Sequence, residues 1–249
     1  SVASRGLGDV YKRQESLGNF MANTLTWQSA VDNLLGMKAE IWQAFWETLI
    51  MVGISTAASV IFGTLLGVAL FLTSKNQLAD NKSLYAVLSN FTNIMRAFPF
   101  VILMIVIIPV TRLIVGTTIG PIAASLALSV AGIFYFARLV EQNLRDVPKG
   151  IIEAALSMGA STGTIIRNVL LVESRSSLIL SITTLMISLL SYSAAAGMIG
   201  GGGLGDLAIR YGYNRYQNDV MIFMVILLVV MVIIIQSVGN ILAQRLDKR

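Results

Sequence analysis

Apolar runs between charges divide the chain into five intervals. The first runs from Thr48 to Thr73 and the second from about Phe98 through VILMIVIIPV past Arg112. The third occupies Ile119 to about Ala137, the fourth lies between Arg175 and Asp206, and the fifth between Asp219 and Arg245. A helix that crosses hydrocarbon takes about 20 mainly apolar residues, and each interval is long enough. The pattern predicts an all-α, polytopic membrane protein with five transmembrane helices. Trp42, Phe45 and Trp46 lead into the first interval, aromatics of the kind that settle at headgroup level. Pro109 lies inside the second, where a neighbouring helix or a water-lined cavity satisfies the carbonyl it frees. The run VGTTIGP before the third carries the punctuation of a tight turn. Gly53, Gly63 and Gly67 on the first helix, with the serines and alanines of the fourth, predict close helix contacts. Packing, rather than hydrophobicity, drives association in lipid.

Two amphipathic patterns stand apart from the spans. Between Lys82 and Arg96, Leu84, Val87, Leu88, Phe91 and Met95 recur at helical spacing while Ser89, Asn90 and Asn93 face elsewhere, which predicts an interfacial lead-in to the second span. The other falls in the most polar interval, between Arg138 and Arg175. Pro148 ends one helix and allows a restart at Lys149. From there Ile151, Ile152, Ala155, Leu156 and Met158 form an apolar stripe opposite Lys149, Glu153 and Ser157. Gly159 suits a left-handed cap, and Ser161 caps a second helix with its own stripe of Ile165, Ile166, Val169 and Leu170. Ala154, Ala155, Gly159 and Ala160 are small enough for another surface to approach the backbone. By periodicity alone this helix-turn-helix lies equally well on lipid or on its own spans.

Composition agrees with a bilayer setting. The chain has 249 residues, 55% hydrophobic and 12% charged, with a mean hydropathy of +0.76; a soluble domain carries about a quarter charged residues. Cys and His are both absent, which removes thiol nucleophiles, disulfides, Cys/His zinc sites and imidazole bases. No metal site and no catalytic residue is expected. The net charge of +5 is not gathered into a basic stripe, so nucleic acid is not an expected partner.

Lys and Arg orient the spans. With the C-terminus in the cytoplasm, Lys75, Lys82, Arg96, Arg138, Arg145, Lys149, Arg167, Arg175, Arg245, Lys248 and Arg249 are inside, and Arg112, Arg210 and Arg215 are in outer loops. Five spans then put the N-terminus outside. Residues 1–40 are read as an N-terminal tail and 41–249 as the membrane domain. The first twenty, SVASRGLGDVYKRQESLGNF, read either as non-native sequence ahead of a start at Met21 or as an ordinary tail.

EAALSMGASTGTIIRNVLL, residues 153 to 171, resembles the EAA loop of ATP-binding-cassette importer permeases. In that family the alanine-glycine element is a coupling helix that docks in a cleft of a separate ATPase. The resemblance assigns that docking to Glu153, Ala154, Ala155, Ser157, Met158, Gly159 and Ala160. The family pattern ends in Leu-Pro, whereas here Leu171 is followed by Val172. WETLIMVGIST, NIMRAFPFVILMIVIIPVTRLIVGTTIG and SYSAAAGMIGGGGLGDLAIRYGYNRYQNDVM are similar to the permeases of the methionine importer group. What this implies is a homodimer in a bacterial cell membrane, with two ATPases that hold ATP and Mg2+ and one extracellular or periplasmic substrate-binding protein. The substrate it implies is D- or L-methionine or another amino acid.

GGGGLG, residues 200 to 205, follows a span rather than a strand, and no G-x-x-x-x-G-K-[ST] occurs, so it reads as a closely packed turn near the outer mouth. Ser188, Ser191, Tyr192 and Ser193 are candidates for lining a pathway, with interhelical hydrogen bonding as the competing role. Met186 and Met198 read as packing. Tyr211, Tyr213 and Tyr216 sit where an external protein would touch, or form an interfacial aromatic belt. Charges fall at predicted span edges, which disfavours a proton relay. A secondary transporter or channel working without an ATPase remains the alternative.

Overall fold

In the computed structural model, which describes residues 27–247, the regular elements among those residues are helices. The leader, Met21, Lys248 and Arg249 lie outside the described residues. The segment read as a tail is helical from Trp27: α1 (Trp27–Gly36) turns at Met37 into α2 (Lys38–Thr73). Asn33 Nδ2 donates to the Asp219 carboxylate on the last helix at 2.6 Å, a tertiary anchor that local pattern does not reveal. At 36 residues α2 is ~54 Å long, well beyond a hydrocarbon core of ~30 Å, so it starts earlier than its apolar run.

Among the described residues four helices are long and apolar enough to cross a membrane: α2, α6 (Pro121–Arg145), α8 (Arg175–Gly197) and α10 (Asn218–Leu246). The second predicted span is not one helix. It is broken into α3 (Lys82–Ala97), α4 (Phe100–Val106) and α5 (Ile108–Val115), and α3 and α4 meet at 102°. The cause is local: Pro99 pushes Phe98 into extended backbone at φ −66, ψ 126, and Pro109 sits in the first turn of α5. The chain nonetheless passes from one end of the bundle to the other here. Ser89 and Asn93 on α3 bond to Arg138 near one end of α6, while Gly120 at its other end donates to the Gly200 carbonyl at 2.9 Å. Among the described residues five passages result, one of them the bent pair.

Small residues set the helix contacts. A Cβ on Gly63 or Gly67 would strike α6 at Phe136 or Val140, and one on Gly132 would strike Ser59. Ser55 Oγ donates across the same seam to the Ser125 carbonyl at 3.0 Å. Gly239 of α10 packs against Thr183 of α8. Gly53 differs from the expectation: nothing lies within 4 Å of where its Cβ would be.

Candidate functional site

The water-side hairpin is built as its sequence predicts at the turn. α7 (Lys149–Ser157) starts after Pro148 and ends in a Schellman arrangement: Ala160 N–H donates to Ala155 O at 3.1 Å and Gly159 N–H to Leu156 O at 2.9 Å. Gly159 has φ +79, the left-handed value this cap requires. Ser161 Oγ then accepts from Thr164 N–H at 3.3 Å and starts the return segment, residues 162–173. That segment is π-helical from Ile165 to Leu170, a wider turn than the regular helix expected.

The predicted apolar stripe divides in two. Ile152 and Ala155 are buried against the return segment, where Ile165 and Leu170 are fully covered. Ile151, Leu156 and Met158 face away, Met158 with 82% exposure. Glu153, Ala154, Ser157 and Gly159 share that open side, and Ala160 is half-buried. Ser157 Oγ bonds back to the Glu153 carbonyl. Ala155, expected on the docking surface, instead seats the helix, because the i to i+3 step from Ile152 puts both on the inward face. The open side thus carries unpaired apolar groups on a rigid base.

The end of α6 that leads into α7 is tied to α3 by a charge cluster that sequence reading missed. Glu141 is buried and accepts from Arg138 and from Arg145, both at 2.6 Å, and from the Tyr85 hydroxyl at 3.1 Å. Arg138 also reaches Ser89 and Asn93. An i, i+3 and i, i+4 charge pattern was visible on α6, but Tyr85, Ser89 and Asn93 are brought in only by tertiary packing.

Of the pathway candidates, Ser191 and Tyr192 are exposed and Ser188 is half-buried on one face of α8, continued by exposed Thr184. The Ser188 and Ser191 hydroxyls donate to their own helix at Thr184 O and Ile187 O, which leaves their oxygens as acceptors on that face. Ser193 is turned into the core, its Oγ bonded to Leu190 O, so it does not share the open face. Tyr192 stacks on Phe100 at 5.0 Å, just after the break at Pro99. A cavity of about 220 Å3 opens beside this pair, lined also by Arg96 and Tyr135. Arg96 lies over the Tyr135 ring at 5.9 Å.

At the opposite end, the glycine run folds into α9 (Gly203–Leu207) and is held by α2. Gly203 N–H donates to Glu47 Oε2 at 2.8 Å and Leu204 N–H to Thr48 Oγ1 at 2.9 Å. Gly202 and Gly203 both have positive φ, and a Cβ on Gly202 would meet the Glu47 carboxylate. The loop is therefore a packed turn in which α2 takes the Gly203 and Leu204 N–H groups. Beyond it Tyr213 and Tyr216 are exposed, while Tyr211 lies under Arg215 at 4.4 Å. A hydrogen bond to the Glu40 carboxylate raises the Tyr211 phenol above its ordinary value, because ionisation would set two anions together.

Residues 66–249 match the family described as binding-protein-dependent transport system inner membrane component. The chain is 49% identical over 206 residues to a probable D-methionine transport system permease protein of Vibrio cholerae serotype O1, covering 83% of this chain and 92% of that one. It is 45% identical over 210 residues to the methionine import system permease protein of Bacillus subtilis strain 168, with 84% and 95% coverage. Among solved structures, it superposes on a chain of the MetNI methionine ABC transporter in an inward-facing conformation, with a TM-score of 0.84 and 39% identity over 86% of this chain and 99% of that chain. An amino acid ABC transporter at 18% identity, TM-score 0.70, covering 86% and 97%, shares the fold.

Proposed function

The chain belongs to the binding-protein-dependent transport system inner membrane components, and from that membership we propose that it is the membrane-spanning subunit of an ATP-driven methionine importer. The relatives named for D-methionine and methionine transport support the substrate class. The working unit in this reading is a homodimer in a bacterial inner membrane, with N-termini outside and C-termini in the cytoplasm. Two ATPase subunits hold ATP and Mg2+, and a substrate-binding protein delivers the amino acid at the outer face.

The observation that carries the coupling role is the hairpin's division of labour. Its back is buried through Ile152 and Ala155, while Met158, Leu156 and Ile151 stand uncovered on the water side. Uncovered apolar side chains on a rigid base away from lipid mark a protein-binding surface. Small residues at Ala154 and Gly159 let a partner's walls close around the helix. Closure of the ATPase pair draws two such helices together. Motion of α7 passes through Pro148 into the end of α6, and through the Glu141 cluster into α3 and the broken passage. Tyr192 on Phe100 then lies where the break moves against α8, and the face of Ser188 and Ser191 lines the route. A polar but uncharged face suits a zwitterion that must leave again. To swing the states from 1:99 to 99:1, the ATPase must hold one of them by ~5.5 kcal/mol more than the other.

The test is uptake of labelled methionine by proteoliposomes containing permease, ATPase and binding protein. ATP-dependent uptake is expected, with loss of ATPase binding in Met158→Asp while the variant stays folded. Uptake that proceeds without ATPase supports a secondary transporter instead, and transport of a different solute with no methionine uptake overturns the substrate.

A further inference from the structure

The structure contains an apolar groove that plays no part in the transport reading. Its upper part, about 590 Å3, lies under α1 between α2 and α10 and is lined by Val31, Leu34, Trp42, Phe45 and Leu227, with Lys38 at the edge. Its lower part, about 310 Å3, continues between α2, α8 and α10. Phe45 and Leu227 belong to both, so the two run into one another. Gly53 lies in the lower part, where a Cβ would touch nothing. The helices α2 and α10 stand on either side of this gap instead of packing together.

We propose that this groove is a phospholipid site, with an acyl chain between α2 and α10 and the headgroup phosphate on Lys38. The side walls, α2 and α10, are membrane-crossing helices, so the groove between them opens to hydrocarbon rather than to water, and a dry gap of this size would forfeit dispersion contacts. The mouth lies at headgroup level. Trp42, Phe45 and Trp46 form an aromatic cluster there, with Trp42 and Phe45 stacked at 5.9 Å. Lys38 is exposed, and among the described residues its amine has no ion-pair partner. Glu40, two residues further on, is engaged with Tyr211, and Asp219 on α10 with Asn33. A lone cation above an apolar slot complements a phosphate above an acyl chain, and a lysine stem packs along the slot while its amine stays at the interface.

Native mass spectrometry of the intact permease–ATPase complex tests this, using complex from nanodiscs of phosphatidylethanolamine and phosphatidylglycerol taken through stepwise delipidation. The wild-type chain is expected to keep a phospholipid after the bulk annulus is gone. Gly53→Leu sets its Cβ where nothing lies within 4 Å and extends into the groove floor, and is expected to cut retention at least tenfold with no loss of thermal stability. Lys38→Gln is expected to keep the fold and lose any preference for phosphatidylglycerol. Equal retention in all three overturns the proposal. So does a crosslink from Val31→Cys, in a chain that has no other cysteine, to a second permease copy or to residues 1–20, since either would occupy the groove. The readout is bound lipid rather than uptake, so its failure leaves the transport reading standing.

Discussion

Replacing Glu141 with leucine should unfasten α3 from α6. The Glu141 side chain is 5% exposed and holds two guanidinium groups, Arg138 at 17% exposure and Arg145 at 47%. The two pairs are not equal. Breaking a buried pair costs about 3–5 kcal/mol because a desolvated charge is left behind, whereas a half-exposed pair contributes about 0–1 kcal/mol. Arg145 can turn to water when its carboxylate is removed. Arg138 cannot: its Nε is already buried without a partner, and it keeps only Ser89 and Asn93. The expected loss is about 3 kcal/mol, nearly all of it from Arg138. At about 2–4 °C per kcal/mol for a chain of this size, the melting temperature should fall by roughly 6–12 °C. Arg145→Gln, removing only the exposed half, should lower it by no more than about 4 °C. The assay is thermal unfolding of the detergent-solubilised complex, followed by size-exclusion of the soluble fraction. If Glu141→Leu costs no more than Arg145→Gln, the buried clamp does not hold α3, and force from α7 must reach the broken passage by another route.

Three other outcomes follow from particular positions. Gly67→Ala places a Cβ 2.6 Å from the Ala137 carbonyl and should destabilise by about 1–3 kcal/mol, while Gly53→Ala in the same helix meets nothing and should gain about 0.5–1 kcal/mol in propensity; melting temperatures shifted in the same direction would refute the packing argument. Gly159→Ala has open space but a left-handed backbone, so it should lose about 1 kcal/mol of stability, read as a melting temperature lower by roughly 2–4 °C. In ultraviolet difference titration Tyr211 should ionise at higher pH than an ordinary tyrosine, and Glu40→Gln should bring it down, because the phenolate then no longer faces an anion; an unchanged titration would break the assignment of that hydrogen bond.

The local grammar of the chain was sufficient for much of this protein. Mainly apolar length marked five passages, because hydrocarbon disfavours unpaired charge whatever the fold. Pro148, Gly159 and Ser161 marked the hairpin, because a missing N–H, a positive φ and a side-chain cap act within a few residues. Tertiary structure decided the rest. Periodicity places Ile152, Ala155, Leu156 and Met158 on a helix but not which of them meets protein, since an apolar stripe serves a core, a lipid face and a docking surface alike. Ala155 and Ser193 turned inward and Met158 outward for that reason. Glu47 reaches the glycine loop and Glu141 reaches Tyr85 across long sequence separations, and a carboxylate at a span edge carries no local sign of its partner. Gly53 and Gly67 share one helix, yet one faces a neighbour and the other empty space. In a bilayer, where the solvent is as apolar as the side chains, only close packing and buried polar pairing distinguish them.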